Sequence, residues 1–578
     1  MTSAALVPSQ FRRGWFAFVL TVATWASSGH GRAQTVAGAG PGPTNDTGVA
    51  AMLRDVSEAG VLSGLRWPRF PHYRDELTAL YSASGWRPVW SAGARPTEAA
   101  RAAIDVLRNA QERGLRSEDY DAATLAERFD GVAAGGFRSA RDTAWFDLAL
   151  SIGILRHLSD VHIGRVNPIR LAIGINVERK KLDLARILSD AIARGRIAEM
   201  VRDAEPRFVQ YRNLKAAYAR YRTLAADSTL PTVTAPRVVR PGDRFDQTAA
   251  LRRRLAAFGD LPENEGGAPG ADGGLYDDAT AAAVARFQAR HGLAPDGVLG
   301  PTTLAAFNVP PARRARQLEL ALERIRWLPA LDAGPFVVVN VPSFQLYAFD
   351  SLPPDGAPAL TMNVVVGRAE VGRETPLFER DMQYIVFRPY WVIPLGILRR
   401  EILPAVRRNP GYLARNDMEV YSGSGDTGPA QPATAANIAR VVRGELGIRQ
   451  RPGPRNALGL AKFIFPNDQN VYMHGTPATE FFSRTRRDFS HGCIRLEDPA
   501  RFAVWVLRDP AEWSADQVRR AMDGSSSRRV NLGRPLPVVI YYATAIVRPE
   551  RGVEFYDDIY GHDARLEREL ARGYPYEP

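Results

Sequence analysis

Ser490-His491-Gly492-Cys493-Ile494-Arg495-Leu496 holds the only cysteine of a 578-residue chain. A second histidine, His474, stands nineteen residues before that cysteine, in Val471-Tyr472-Met473-His474-Gly475-Thr476-Pro477. A lone thiol has no disulfide partner in its own chain. Nucleophilic cysteine chemistry needs a thiolate and a base to make it, and imidazole is the side chain that titrates nearest neutral pH. The pattern therefore points to a nucleophile rather than an inert buried cysteine. A zinc site made of His474, His491 and Cys493 would lack a fourth His or Cys close in sequence, so no metal and no cofactor are expected.

Residues 1–33 read as an export signal: Arg12 and Arg13 precede a mostly apolar, uncharged run from Gly14 to Ala26, and Gly31-Arg32-Ala33 offers small residues around a cleavage position. The apolar run is shorter than the ~20 residues a spanning helix needs, which makes an uncleaved anchor the weaker alternative. No later stretch is long and apolar enough to span a bilayer, so the expected location is the periplasm. One unpaired thiol suits an oxidising compartment. The formal charge of +12 becomes +9 without the three arginines of 1–33. Such a surplus suits an acidic polymer, and export together with the scatter of the arginines argues against nucleic acid.

Between signal and thiol the chain changes character several times. Residues 34–48 are Gly/Pro/Ala/Thr-rich and read as a disordered linker. Residues 49–228 carry helical periodicity, as in Ala103, Ile104, Leu107 and Ala110, or Trp145, Leu148, Ile152 and Leu155. Tyr81, Trp86 and Trp90 read as core. His157 and His162 are five apart and do not share a helix face, so they read as structural rather than metal-binding. A Pro/Val/Thr linker at 229–243 precedes a compact three-helix module at 245–308, then a connecting helix at 312–330. From Phe336 the period switches to two. Strands are expected at Phe336–Val341, Phe344–Phe349, Met362–Val366, Tyr384–Phe387, Lys462–Phe465, Val471–His474 and Val538–Val547. The block 395–455 interrupts that β-domain with helical flanks and a Gly/Ser/Pro-rich centre at Ser422–Ala435, and 548–578 is left as a tail.

The Cys493 segment resembles the signature of the L,D-transpeptidases: a histidine, about fifteen residues, then Ser/Thr-His-Gly-Cys, an apolar residue and Arg or Asn. The module at 245–308 resembles the peptidoglycan-binding domain through Tyr276-Asp277-Asp278-Ala279-Thr280, Phe287-Gln288-Ala289-Arg290-His291-Gly292-Leu293 and Gly300-Pro301-Thr302-Thr303-Leu304. Arg326-Trp327-Leu328-Pro329, Pro389-Tyr390-Trp391-Val392-Ile393-Pro394 and the run Arg449 to Gly459 extend the likeness to the large periplasmic members. One departure is Gly475, where many of these carry aspartate after the histidine.

The resemblance implies an α+β multidomain chain: a helical scaffold, a peptidoglycan-binding module, and a β-rich catalytic domain at 335–547 with a helical lid at 395–455. It implies an acyltransferase of cell-wall biogenesis and cell shape that takes a tetrapeptide donor stem, releases D-alanine through a Cys493 thioester, and is acylated by carbapenems. His474 is then the base and acid. Gly492 and Tyr472 are expected at the oxyanion. His491 is open to loop, oxyanion or substrate roles. Trp391, Arg495, Arg449, Arg451 and Ser490 are substrate-side candidates, the arginines for stem carboxylates. Expected partners are stem peptides, glycan and wall-synthesis proteins. The rivals are an L,D-carboxypeptidase or endopeptidase using water, and a non-catalytic wall-binding scaffold.

Overall fold

The computed structural model describes residues 44–573 apart from 134, 263–273 and 332–333. The signal segment 1–33 lies outside the described residues, as does the linker up to residue 43; residues 44–48 of that linker open the helix Thr44–Ala59. Among the described residues no helix is long and apolar enough to cross a membrane.

The scaffold is organised by the helix Ala140–Ile163, begun by Ser139, whose hydroxyl accepts the Asp142 N–H. It is buried almost all round, so other helices must cover it on every side. Thr44–Ala59, Glu98–Arg108, Ala122–Ala133, Leu184–Arg194 and Ile197–Ala204 do so. Tyr81 and Trp90 are fully buried: Asp147 accepts the Tyr81 hydroxyl at 3.0 Å and the Trp90 N–H at 2.9 Å. His157 stands edge-on to Tyr120, with ring centroids 4.9 Å apart, whereas His162 places its ring nitrogens 2.9 Å from the carbonyls of Ala204 and Lys180. The two rings therefore have separate surroundings.

The module consists of Thr248–Phe258, Asp278–Ala289 and Pro301–Phe307. Gln288 ties its second helix to the following turn, donating to Asp296 at 2.9 Å and accepting the Gly297 N–H at 2.8 Å. The segment 229–243 is less free than its prolines suggest. Val233 and Val239 are buried, Val239 bridges Leu299, and Asn308 holds both backbone groups of Val233. Burial of the valines, rather than proline content, decides its state.

Buried arginines fasten these parts together. Arg290 pairs with Asp260 and donates to the Val553 carbonyl at 2.8 Å, while the Phe555 N–H donates to the Arg290 carbonyl at 2.9 Å. In the connecting helix Pro311–Ile325, Glu323 accepts Arg165 from the scaffold at 3.2 Å and Arg326 at 3.3 Å, and Arg324 pairs with Asp563. Removing one partner of a buried ion pair strands the other, at a cost of about 3–5 kcal/mol. Arg290→Ala is accordingly expected to lower the unfolding free energy extrapolated from the urea curve by that order, with a correspondingly lower midpoint. An unchanged midpoint would show that the module hangs on its linkers alone.

The β-rich region from Phe336 onward is a closed sheet. Its strands, with those of the lid numbered in the same series, are β1 (Phe336–Asn340), β2 (Gln345–Phe349), β3 (Leu360–Gly367), β4 (Phe378–Phe387), β5 (Trp391–Val392), β6 (Met418–Tyr421), β7 (Ala430–Gln431), β8 (Gly447–Gln450), β9 (Ala461–Ile464), β10 (Met473–His474), β11 (Asp488–Ser490), β12 (Ile494–Leu496) and β13 (Arg528–Tyr541). The main sheet runs β11-β3-β12-β10-β9-β4-β13-β1-β2, and β2 also pairs with β3, closing eight strands into a ring with β11 attached to β3. Val337, Val364, Met382, Phe463, Met473, Ile494 and Val538 fill its interior with Phe502 from the helix Pro499–Leu507. The scaffold reaches this core directly: Gly174 bridges Phe378, and Ile173 and Ile175 are buried with the barrel residues.

The insertion differs from the expected helical lid. It contains the sheet β5-β8-β6-β7 around its own core of Ile393, Leu403, Val406, Val420, Val441 and Ile448. Its first helix is interrupted by a π-helical turn, Leu398–Ile402, just before Pro404, which has no N–H to continue the α-helical ladder. The segment left as a tail also folds. Ala545–Arg548 (β14) pairs with Gly552–Phe555 (β15), and the helix His562–Arg572 buries Leu566 and Leu570.

Candidate active site

Two rows of side chains cross the sheet at β9, β10 and β12. Lys462 pairs with His474, and His474 with Arg495. Carried one residue further, the same register sets Tyr472 opposite Cys493, and the Ile494 N–H donates to the Tyr472 carbonyl at 3.1 Å. Side chains alternate along a strand. Because Phe463, Met473, Ile494 and Leu496 fill the core, Lys462, Tyr472, His474, Cys493 and Arg495 emerge together on the other face. Diagonal neighbours in adjacent strands lie about 7–8 Å apart, within reach of long and aromatic side chains. His474 is thus the diagonal neighbour of Cys493, and Arg495 stands two residues on in the same strand.

The loop before Cys493 is held from within. The Ser490 hydroxyl donates to the Cys493 carbonyl at 2.5 Å and accepts the Gly492 N–H at 3.1 Å. Gly492 has φ +117°, a conformation that a side chain would strain. Its carbonyl accepts the Thr375 hydroxyl at 2.9 Å, and Tyr560, from the folded C-terminal segment, is bonded to Thr375 and Gly367. The Gly492 N–H is thereby spent on the turn, and buried Ser490 has its hydroxyl engaged in the same turn.

Burial pushes the Cys493 thiol up, while the Tyr472 N–H and hydroxyl, Lys462 and Arg495 act in the opposite sense. The sulfur also lies 3.9 Å from the Asn470 carbonyl. The next helix in the chain, Pro499–Leu507, is capped by Asp498 and starts six residues later. His474 is buried, and its pKa is pushed down to about 3 by burial and by Arg495. Its Nδ1–H donates to the Gly475 carbonyl, which leaves the lone pair on Nε2. A backbone carbonyl thus orients the ring. Gly475 is also tight: a Cβ there would meet Pro499 at 3.2 Å.

His491 turns away from this row to the lid, with its Nε2 2.8 Å from Glu401, whose carboxylate also faces Arg373 at 3.8 Å. Arg495 keeps a buried Nε without a hydrogen bond and stands over the Phe481 ring. Arg449 is internal to the lid: it pairs with Glu419, donates to the Gly425 carbonyl at 2.9 Å and covers the Tyr390 ring. Arg451 is exposed, 3.8 Å from Asp417. Trp391 lies in β5, half-buried against the lid core. The sequence reading passed over Lys462 and Glu401. Lys462 was accessible by counting back across the Pro466-Asn467-Asp468 turn; Glu401, ninety residues from His491, carried no local signal.

Three family models match the chain: "Scaffold domain" at 75–217, "Putative peptidoglycan binding domain" at 246–307 and "L,D-transpeptidase catalytic domain" at 334–540. A curated Haemophilus influenzae protein named "Putative L,D-transpeptidase" is 27% identical over 251 residues, which is 43% of this chain and 49% of that protein. The chain thus spans about half the length of the curated relative it matches.

Proposed function

We propose that this chain, which carries the scaffold, peptidoglycan-binding and catalytic domains of the L,D-transpeptidases, cross-links peptidoglycan outside the cytoplasm with Cys493 as nucleophile. The observation that supports this best is the convergence of Cys493, Tyr472, His474 and Arg495 on one face of the barrel.

In the first half-reaction the sulfur attacks the carbonyl carbon of the third residue of a donor tetrapeptide. His474 Nε2 accepts the thiol proton and passes it to the departing D-alanine nitrogen as the C–N bond breaks, leaving a thioester. In the second half-reaction an amine of a neighbouring stem attacks the thioester, and its proton returns through His474 to the sulfur. With the Gly492 N–H engaged, the oxyanion falls to the Cys493 N–H and the Tyr472 hydroxyl. Arg495, with an unfilled donor beside the sulfur, suits a stem carboxylate. Exposed Arg451 remains open for stem carboxylates at the rim, with Trp391 as a wall of the lid.

The test is mass analysis of products after incubation with purified disaccharide tetrapeptides. Cross-linked dimers support the reading. Tripeptides alone mean hydrolysis, and unchanged substrate with retention on sacculi means a binding module.

The lid has its own test. Thr434 caps the helix Ala435–Arg443 and β7 pairs with β6, so only 423–429 can be trimmed without cutting secondary structure. Trimming it is expected to change the rate of Cys493 acylation at least about tenfold, as misplacement near a reacting centre does, with the fold retained because Arg449, which loses the Gly425 carbonyl, keeps its pair with Glu419. Unaltered acylation in the folded variant would make the insertion decoration.

A further inference from the structure

Four buried backbone groups meet behind the nucleophile turn and share two hydroxyls. Gly367 ends β3, and the chain returns beside it at Thr375, so close that a Cβ on Gly367 would meet the Thr375 nitrogen at 2.6 Å. The Gly367 N–H donates to the Thr375 hydroxyl at 2.8 Å, and that hydroxyl donates in turn to the Gly492 carbonyl at 2.9 Å. The Thr375 N–H donates to the Tyr560 hydroxyl at 3.3 Å, and Tyr560 donates to the Gly367 carbonyl. Each hydroxyl thus gives one bond and accepts one. Thr375 and Tyr560 are buried, as are Gly367 and Gly492, so solvent is no ready substitute for either hydroxyl. Tyr560 itself is fixed on both sides in sequence. Before it, the Phe555 N–H of β15 donates to the Arg290 carbonyl of the module at 2.9 Å; after it, Asp563 of the helix His562–Arg572 pairs with Arg324 of the connecting helix. Its own N–H donates to the Tyr542 hydroxyl at 3.0 Å. The hydroxyl is therefore carried on packed elements rather than on a loose end.

The Gly492 carbonyl and the Cys493 N–H belong to one peptide group, which is planar and trans, so the two point in opposite directions. Whatever holds that carbonyl also aims that N–H. We propose that Thr375 and Tyr560 are positioning residues that aim the Cys493 N–H at the oxyanion of acyl transfer. Thr375 acts through the Gly492 carbonyl, and Tyr560 acts through Thr375 and Gly367. The inference rests on the transpeptidase reading, in which that N–H is an oxyanion donor. Both hydroxyls are uncharged and bond to backbone. Their loss turns a donor away from its target, while the groups that act on the thiol, Tyr472, Lys462 and Arg495, stay as they are.

Two reagents separate aim from thiol reactivity. Acylation by a carbapenem passes through a tetrahedral oxyanion, whereas alkylation by iodoacetamide displaces iodide at carbon and forms none. The single cysteine lets mass analysis of the intact full chain follow both at one site. Tyr560→Phe and Thr375→Val are each expected to slow acylation about 10- to 100-fold, the order of a small misplacement at a reacting centre, with alkylation within about twofold of wild type. Thr375→Ser, which keeps the hydroxyl, should acylate near the wild-type rate. Melting curves show which variants fold, and Thr375→Val decides the matter if Tyr560→Phe does not. Wild-type acylation in either folded variant overturns the proposal. So does an equal fall in acylation and alkylation, which marks a general loosening of the turn. A wild-type chain that is alkylated but never acylated would instead sink the transpeptidase reading, and this inference with it.

Discussion

Cys493→Ala is expected to end cross-link formation, with dimer production falling by at least about 10⁴-fold, as loss of a catalytic nucleophile does elsewhere. The variant has no thiol at all. The wild-type protein should gain the mass of one carbapenem and the variant none. The fold should survive, because the residue as a whole is only half-buried and the change removes a single sulfur atom, whose approach to the Asn470 carbonyl is a long 3.9 Å. A surface-side change of that kind costs under about 1 kcal/mol. A carbapenem adduct persisting on Cys493→Ala would place the nucleophile elsewhere.

His474→Gln is expected to slow acylation by about 10²–10⁴-fold, the usual worth of a positioned base. The wild-type pH profile should also lack the acid limb that histidine normally brings. The ring sits at about 3 in the folded protein against an ordinary value of 6.5, so it is already neutral when acylation begins, and its Nε2 is available throughout that interval. Thiol and imidazole therefore meet as neutral partners, and the proton moves during attack. An acid limb near 6.5 that disappears in His474→Gln would contradict this. The same shift makes a stability statement. The unfolded chain binds a proton at His474 below about 6.5, which the folded chain refuses until about 3, so the stabilisation is complete above that interval and lost through it as pH falls. His562, pushed down to about 4 mainly by burial, adds in the same direction. Thermal melts between pH 7 and 4 should fall for wild type and fall less for His474→Gln.

Much of this site was legible from residue spacing, because its chemistry is concentrated in two short runs. Cys493 and His474 stand out by residue type. Alternation around Met473 and Ile494 suffices to put Tyr472, His474, Cys493 and Arg495 on one face once the two strands are paired. What could not be read were contacts made across long sequence intervals. Glu401 meets His491 only because the lid folds back, and Tyr560 supports the Cys493 loop from a segment that looked like a tail. The strand expected at Val538–Val547 begins at Arg528 and breaks after Tyr541. Arg528, Arg529, Arg534 and Pro535 hid its first half, which is mostly exposed and reads as polar, while Tyr542-Ala543-Thr544 hid the break by staying buried. The lid sheet was missed for a related reason: β5 and β7 have two residues each, too few for any period to show.

The ring of strands carries a consequence for the order of assembly. β1 is bonded to β13, about 200 residues later in the chain, and no other strand stands between β1 and β4 at that seam. Joining such distant segments is slow, because the closure entropy is spent before the contact rewards it. The scaffold helices pack across separations of up to about 110 residues, roughly half the span of that seam, and so close sooner. During synthesis or passage through a membrane the N-terminal half can therefore condense while the barrel stays open. Cys493 and His474 have then already been delivered but are not yet presented to each other. The protein is assembled unarmed, and the strands that flank Cys493 and carry His474 are locked into the ring only after β13 has been delivered.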